Sequence, residues 1–101
     1  MIYRLGVPGE IDGVQEVRIL EWHGAPGHAF AVGDMIVELE THKVVIEVRA
    51  DQVAVMRQII IDEGGWTGLG SSIALFSDTD DEALGAETEG LNDCLVTLAV
   101  A

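Results

Sequence analysis

The stretch Gly33-Asp34-Met35-Ile36-Val37-Glu38-Leu39-Glu40-Thr41-His42-Lys43-Val44 decides how this chain is read. Met35 to Glu40 has strand character and follows a Gly-Asp pair of the kind that makes a turn. Beyond Lys43, Val44, Ile46, Val48 and Ala50 share one parity while Glu47 and Arg49 share the other, the pattern of a strand with one buried face. Val45 breaks the alternation. Two strands therefore flank the polar triplet Thr41-His42-Lys43, and this arrangement predicts a tight turn from which Lys43 projects into solvent.

The same texture continues on both sides. Ile2 to Leu5, Val14 to Trp22, Val53 to Ile61 and Ser72 to Phe76 also have strand character. Turn residues punctuate them at Pro8-Gly9, Asp12-Gly13, Gly24 to Gly27, Glu63 to Gly65 and Gly68 to Gly70. Gln52 to Asp62 superficially permits a helix, but its β-branched content and the short apolar part favour a strand. Apolar residues make up 49% of the chain and aromatics only 5%, so Val, Ile, Leu and Ala must fill the core, as suits β-structure. The expectation is an all-β fold, a compact antiparallel barrel or sandwich forming one domain.

The glycines carry an internal repeat. Gly27 and Gly64 are 37 residues apart, as are Gly33 and Gly70, and Ile36 and Ile73. In each copy the isoleucine is followed three residues later by a large apolar residue, Leu39 or Phe76. The pattern implies two similar halves related by approximate two-fold symmetry. Residues 1–76 are the expected domain. Ser77 to Gly90, acidic and poor in large apolar residues, reads as a solvated linker or tail covering 77–90, and the apolar segment 91–101 is left open as an edge strand, a segment packed on the barrel or a protein contact.

Eighteen acidic residues against five basic ones give a formal charge of −13, which repels phosphate backbones and anionic lipid headgroups. Neither nucleic acid nor a membrane is an expected partner. Docking to a basic protein surface suits the charge, and so does plain solubility. The longest apolar runs, Ile59 to Ile61 and Ile73 to Phe76, fall far short of the roughly 18 residues that span a bilayer. The N-terminus lacks the basic-then-apolar order of a secretory signal, and Cys94 is the only cysteine, so a reducing, cytoplasmic setting is expected. Cys94 itself reads as a small half-buried apolar residue near the C-terminus rather than a reactive thiol.

Lys43 is the only lysine; the other basic residues are Arg4, Arg18, Arg49 and Arg57. An amine-directed modifying enzyme would face no competing side chain here, and a lysine's long stem and acylable amine suit it as an anchor. An ordinary solvated lysine at a hairpin turn is the alternative.

The segment Gly33 to Val44 resembles the signature of the lipoyl domain family, the biotin/lipoyl attachment domains of 2-oxo acid dehydrogenase acyltransferases. There a Gly-Asp turn leads into a strand ending Glu-Thr-Asp-Lys-Ala. The resemblance extends from Trp22, eleven residues before Gly33, through Gly64, twenty-one after Lys43, to Gly70 and about Phe76. It implies a flattened barrel of two quasi-symmetric four-stranded antiparallel sheets. It implies covalent lipoate on Lys43, with Glu40, Thr41 and His42 forming the recognition hairpin.

The implied role is a non-catalytic carrier that shuttles acyl groups on a swinging arm. Its implied partners are a lipoate ligase or lipoyl/octanoyl transferase, a thiamine-dependent decarboxylase, an acyltransferase core and a flavin dihydrolipoyl dehydrogenase. The chain would be a free-standing carrier or one piece of a longer polypeptide.

Several residues depart from the family pattern. His42 replaces the usual aspartate, Val44 the common alanine, and Asp51 and Ala54 stand where proline and glycine are frequent, so a different bend or a bulge is expected there. Gly24 to His28 lacks the charge usual before the Gly33 turn. Biotin carriers usually show Ala-Met-Lys-Met; Thr41-His42-Lys43-Val44 does not match, which favours lipoate over the biotin alternative. An unmodified barrel serving as an assembly module is the rival of another class.

Other motifs carry less. Gly64 to Ser71 has the glycines of a phosphate loop without its lysine. His23, His28 and His42 lack short-range zinc-ligand spacing, and Asp78, Asp80, Asp81 and Glu82 lack the glycine and terminal glutamate of a calcium loop. Trp22 and Trp66 read as core or rim residues.

Overall fold

The computed structural model describes residues 1–85 and 90–101, among which there are ten strands and no helix. In chain order these are β1 (Ile2–Gly6), β2 (Glu16–Trp22), β3 (Ala29–Phe30), β4 (Met35–Glu40), β5 (Val45–Ala50), β6 (Ala54–Ile59), β7 (Trp66–Gly68), β8 (Ser72–Ser77), β9 (Asn92–Asp93) and β10 (Val96–Val100). They form two five-stranded sheets, β3-β6-β8-β1-β9 and β10-β5-β4-β2-β7, packed as a flattened body of 38 × 26 × 20 Å. No helix of the described residues is long and apolar enough to cross a membrane.

The expected symmetry is present and can be followed residue by residue. Exchanging β1 to β4 with β5 to β8 converts the order β3-β6-β8-β1 into β7-β2-β4-β5, so each sheet contains the same four-stranded unit. β9 and β10 then extend the two units beside β1 and β5, which are themselves equivalent. All four glycines of the repeat, Gly27, Gly33, Gly64 and Gly70, adopt positive φ, a conformation that a side chain disfavours.

The bulges repeat as well. Ile36 is the extra residue where β4 shifts register against β5, and Ile73 is the extra residue where β8 shifts against β1. Leu20 in β2 and Arg57 in β6 form the second such pair. A bulge places two consecutive residues on the same side of a strand, which is why Ile36 and Val37, and again Ile73 and Ala74, are all buried. Strict alternation fails at those positions for that reason.

The core lies between the sheets and is built mainly from Val, Ile, Leu and Ala, with Phe30 and Phe76 meeting edge to face at a centroid distance of 5.8 Å. Two short strands, β3 and β7, lie between the turn residues, in stretches where the sequence shows no strand character. They are only two and three residues long and are held by their neighbours β6 and β2. Gln52 to Asp62 contains β6, a strand as expected. The bulge anticipated near Asp51 lies instead at Arg57; Asp51 and Gln52 bind the C-terminal segment, through Asp51 N–H to Leu95 C=O and Leu95 N–H to Gln52 Oε1.

Segment 91–101 is a structural part of the body. β9 runs parallel to β1, the one parallel pairing among the described strands, and β10 runs antiparallel along the whole of β5. The solvated tail expected over 77–90 differs at its start. Ser77 is fully buried at the end of β8, Tyr3 Oη donates to Asp78 Oδ1 at 2.9 Å, and the Met1 ammonium binds Asp78 and Glu82. The Tyr3 hydroxyl and then the terminal ammonium hold the Asp78 carboxyl below its ordinary pKa. Residues 86–89 of that expectation lie outside the described residues.

Candidate functional site

The β4–β5 hairpin forms the site. Thr41 closes it: its Oγ1 accepts the N–H groups of Lys43 (3.1 Å) and Val44 (3.0 Å) and donates to the Val44 carbonyl (2.9 Å), which also accepts Thr41 N–H. Thr41 is buried, whereas His42 and Lys43 are exposed. A small hydroxyl side chain thus replaces the ladder bonds that end at Glu40, and the two residues that follow are pushed outward.

The base of the hairpin is supported by its neighbours. Glu40 lies opposite Arg18 of β2 and pairs with its Nη1 at 3.2 Å. On the other side, Ala101 N–H donates to Val45 C=O, so the C-terminal strand reaches within two residues of Lys43. Among the described residues no carboxylate pairs with Lys43. Its Nζ makes one long hydrogen bond, 3.3 Å to the carbonyl of Asp12, and lies directly over Gly13. A Cβ built on Gly13 would stand 2.4 Å from Nζ. This is an amine that can be acylated without breaking an ion pair, on a stem with room beneath it.

All four residues singled out from the sequence, Glu40, Thr41, His42 and Lys43, therefore meet in one turn at one end of a sheet. Their surroundings were not legible. The Asp12–Gly13 turn comes against the lysine from 30 residues upstream, and a groove lined by Gly13, Gln15, Glu16, His42, Trp66 and Gly68 runs alongside. Trp66 stands 54% exposed, while Trp22 is buried and donates Nε1–H to Ile61 C=O. A tryptophan in a three-residue strand between glycine turns gave no periodic signal that could have placed it there.

The weaker motifs resolve differently. Gly64 and Gly70 serve as positive-φ turns on either side of β7, which removes the phosphate-loop reading. His23 joins Glu21 and Glu38, with Nε2 at 2.7 Å from Glu38 Oε1, as part of an acidic outer face on which Glu21, Glu38 and Glu47 are successive cross-strand neighbours. Cys94 is buried beside β1, where its N–H donates to Arg4 C=O, and burial pushes its thiol up to about 11. At neutral pH that keeps it in the protonated, weakly nucleophilic form.

Comparison with known proteins agrees with this geometry. A biotin/lipoyl family model, described as biotin-requiring enzyme, matches residues 4–76, the span of the eight-stranded core. The dihydrolipoyllysine-residue succinyltransferase component of the 2-oxoglutarate dehydrogenase complex from Cupriavidus necator is 36% identical over 77 residues, covering 76% of this chain and 18% of that protein. The same component from Staphylococcus saprophyticus is 33% identical over 72 residues, covering 71% and 17%. The mitochondrial pyruvate dehydrogenase complex protein X component of Saccharomyces cerevisiae is 37% identical over 65 residues, covering 63% and 16%. The chain thus spans less than a fifth of the length of these relatives, and strands β9 and β10 lie beyond the family match. With its fold, its symmetric core and the family match over residues 4–76, the chain belongs to the biotin/lipoyl attachment domain family.

Proposed function

We propose that this domain is a lipoyl carrier, with lipoate joined to Lys43 Nζ through an amide, serving a 2-oxo acid dehydrogenase system. The observation that carries the reading is the presentation of the chain's only lysine at the exposed tip of the Thr41-closed hairpin, free of any ion pair among the described residues. In acylation the neutral amine forms the Nζ–C bond as the acyl carbon breaks its bond to the activating group supplied by a ligase or transferase, and that group leaves with the proton lost from Nζ. When bound, the dithiolane supplies the chemistry of reductive acyl transfer.

The barrel's own residues hold and present. Thr41 fixes the turn, Glu40 offers a carboxylate for recognition by the ligase, and His42 sets the charge beside the arm. The domain contributes by raising the local concentration of its arm at successive active sites. These are a thiamine-dependent decarboxylase, an acyltransferase core and a flavin dihydrolipoyl dehydrogenase, in a cytoplasmic complex. The acidic outer face suits docking to basic surfaces.

Intact mass after incubation with a lipoate ligase tests the reading. One lipoyl group is expected on the wild type and none on Lys43→Arg. A biotinyl mass with a biotin ligase and none with the lipoate ligase moves the domain to biotin carriage. An unchanged mass with both, under conditions that load control domains, leaves an assembly module. Modification that persists in Lys43→Arg places the site elsewhere.

A further inference from the structure

The lysine does not stand straight out from its turn. Its Nζ is held against the Asp12–Gly13 backbone, and the absence of a side chain at Gly13, whose φ is +72°, is what makes room for it. Gly13 is at the same time one wall of the groove, and His42, the neighbour of Lys43, is another. An acyl group on Nζ therefore begins its path at the groove's mouth. The nitrogen of an acylated lysine keeps one hydrogen, so a donor for the Asp12 carbonyl remains after acylation.

The far wall suits a neutral, apolar chain. Trp66 offers a half-exposed indole there, and Gly68 opposes Glu16 across β2 and β7 with no side chain to narrow the passage. The groove's volume, about 560 Å³, is within the range of small-molecule sites, roughly 300–1,000 Å³. Phe30, Phe76 and Trp22 are buried, and Tyr3 is half-buried with its hydroxyl bonded to Asp78, so among the described residues Trp66 is the large aromatic most open to solvent. Covering it with an attached hydrocarbon removes apolar area from water at little entropic cost, because the chain is already tethered.

We infer that the groove between the Lys43 hairpin and Trp66 is a resting site for the acyl arm itself, so that the arm alternates between a docked and a free state. The inference rests on Lys43 being the acylated residue and adds that the arm has a place on its own domain. Docking withdraws the reactive end from solvent between visits to partner enzymes, and a partner must compete with Trp66 for it.

The test separates this claim from the carrier reading. A ¹³C-labelled Nε-octanoyl-lysine, the sulfur-free form of the same chain, is installed at position 43 of the full chain by amber suppression, so that no ligase is needed. Nuclear Overhauser contacts from the octanoyl methylenes to the Trp66 indole and the His42 ring are expected, and their loss is expected in Trp66→Ala, whose amide spectrum away from β7 should be unchanged. Sharp, unshifted methylene signals with no contact to Trp66 in the wild type would overturn the resting site while leaving the carrier reading intact. Failure of ligase loading would sink the carrier reading alone, since the installed chain reports on the groove directly.

Discussion

The hydroxyl of Thr41 and the carbonyl of Val44 close the lysine hairpin: Oγ1 donates to that carbonyl at 2.9 Å while accepting the N–H groups of Lys43 and Val44. Thr41→Val keeps the shape and removes all three bonds, leaving two N–H groups at the tip without a side-chain partner. The expected cost is about 1–3 kcal/mol, seen as a lowered Tm, with slower loading by a lipoate ligase. Thr41→Ser should recover most of both. Equal Tm and equal loading for the valine variant would show that the turn holds itself without the hydroxyl.

Gly33 and Gly70 should respond alike because they are symmetry equivalents, with φ of +94° and +82° and open space where a Cβ would go. Alanine at either position meets no clash and is strained only through its backbone, so each variant should lose about 1–2 kcal/mol. Chemical denaturation measures both. Widely unequal losses would contradict the equivalence of the two turns.

Burial holds the proton on Cys94 more tightly in the folded state, where its pKa is pushed from 9.0 to about 11. A thiol reagent at pH 8 should therefore label the native protein slowly and the unfolded chain fast. The linked stability is complete below pH 9 and is lost as the pH rises through 11. The difference in Tm between wild type and Cys94→Ala should accordingly shrink or reverse over that window. A pH-independent difference would refute the shift.

Truncation before Leu91 removes β9 and β10 yet leaves both four-stranded units whole. The shortened domain should fold, while amides of β5 that bond to β10 exchange faster with solvent than in the full chain. Unchanged exchange along Val45–Ala50 would mean that β10 adds no protection in solution.

Glu40→Gln should slow lipoate loading several-fold and change Tm little, because its pair with Arg18 is half-exposed and such pairs contribute about 0–1 kcal/mol. His42→Asp, measured by reductive acylation with candidate decarboxylases after complete loading, should alter partner preference and leave the loading rate nearly unchanged. A loading defect as large as that of Glu40→Gln would make His42 a ligase contact instead.

The lysine hairpin, the turn glycines and the two-fold repeat were legible because each depends on local chemistry. A turn needs its glycine or threonine at a fixed place, and a half-buried strand shows its parity wherever it packs. The spacing of 37 residues that links Gly33 to Gly70 also links the bulge residues Ile36 and Ile73, so the breaks in alternation belong to the same repeat. Short strands such as β3 and β7 left no comparable mark, since two or three residues cannot display a period and their pairing is imposed by neighbours.

The long-range contacts followed from packing alone. Nothing near Lys43 in the chain announces that Asp12 and Gly13 will lie beneath its ammonium, that Trp66 will stand across a groove from His42, or that the chain's last strand will run along β5. Those juxtapositions join residues far apart in sequence, and they arise only when the two sheets stack and bury their apolar faces together. Local residue chemistry specifies the hairpin and its lysine; the closing of the sandwich assembles the surface against which that lysine lies.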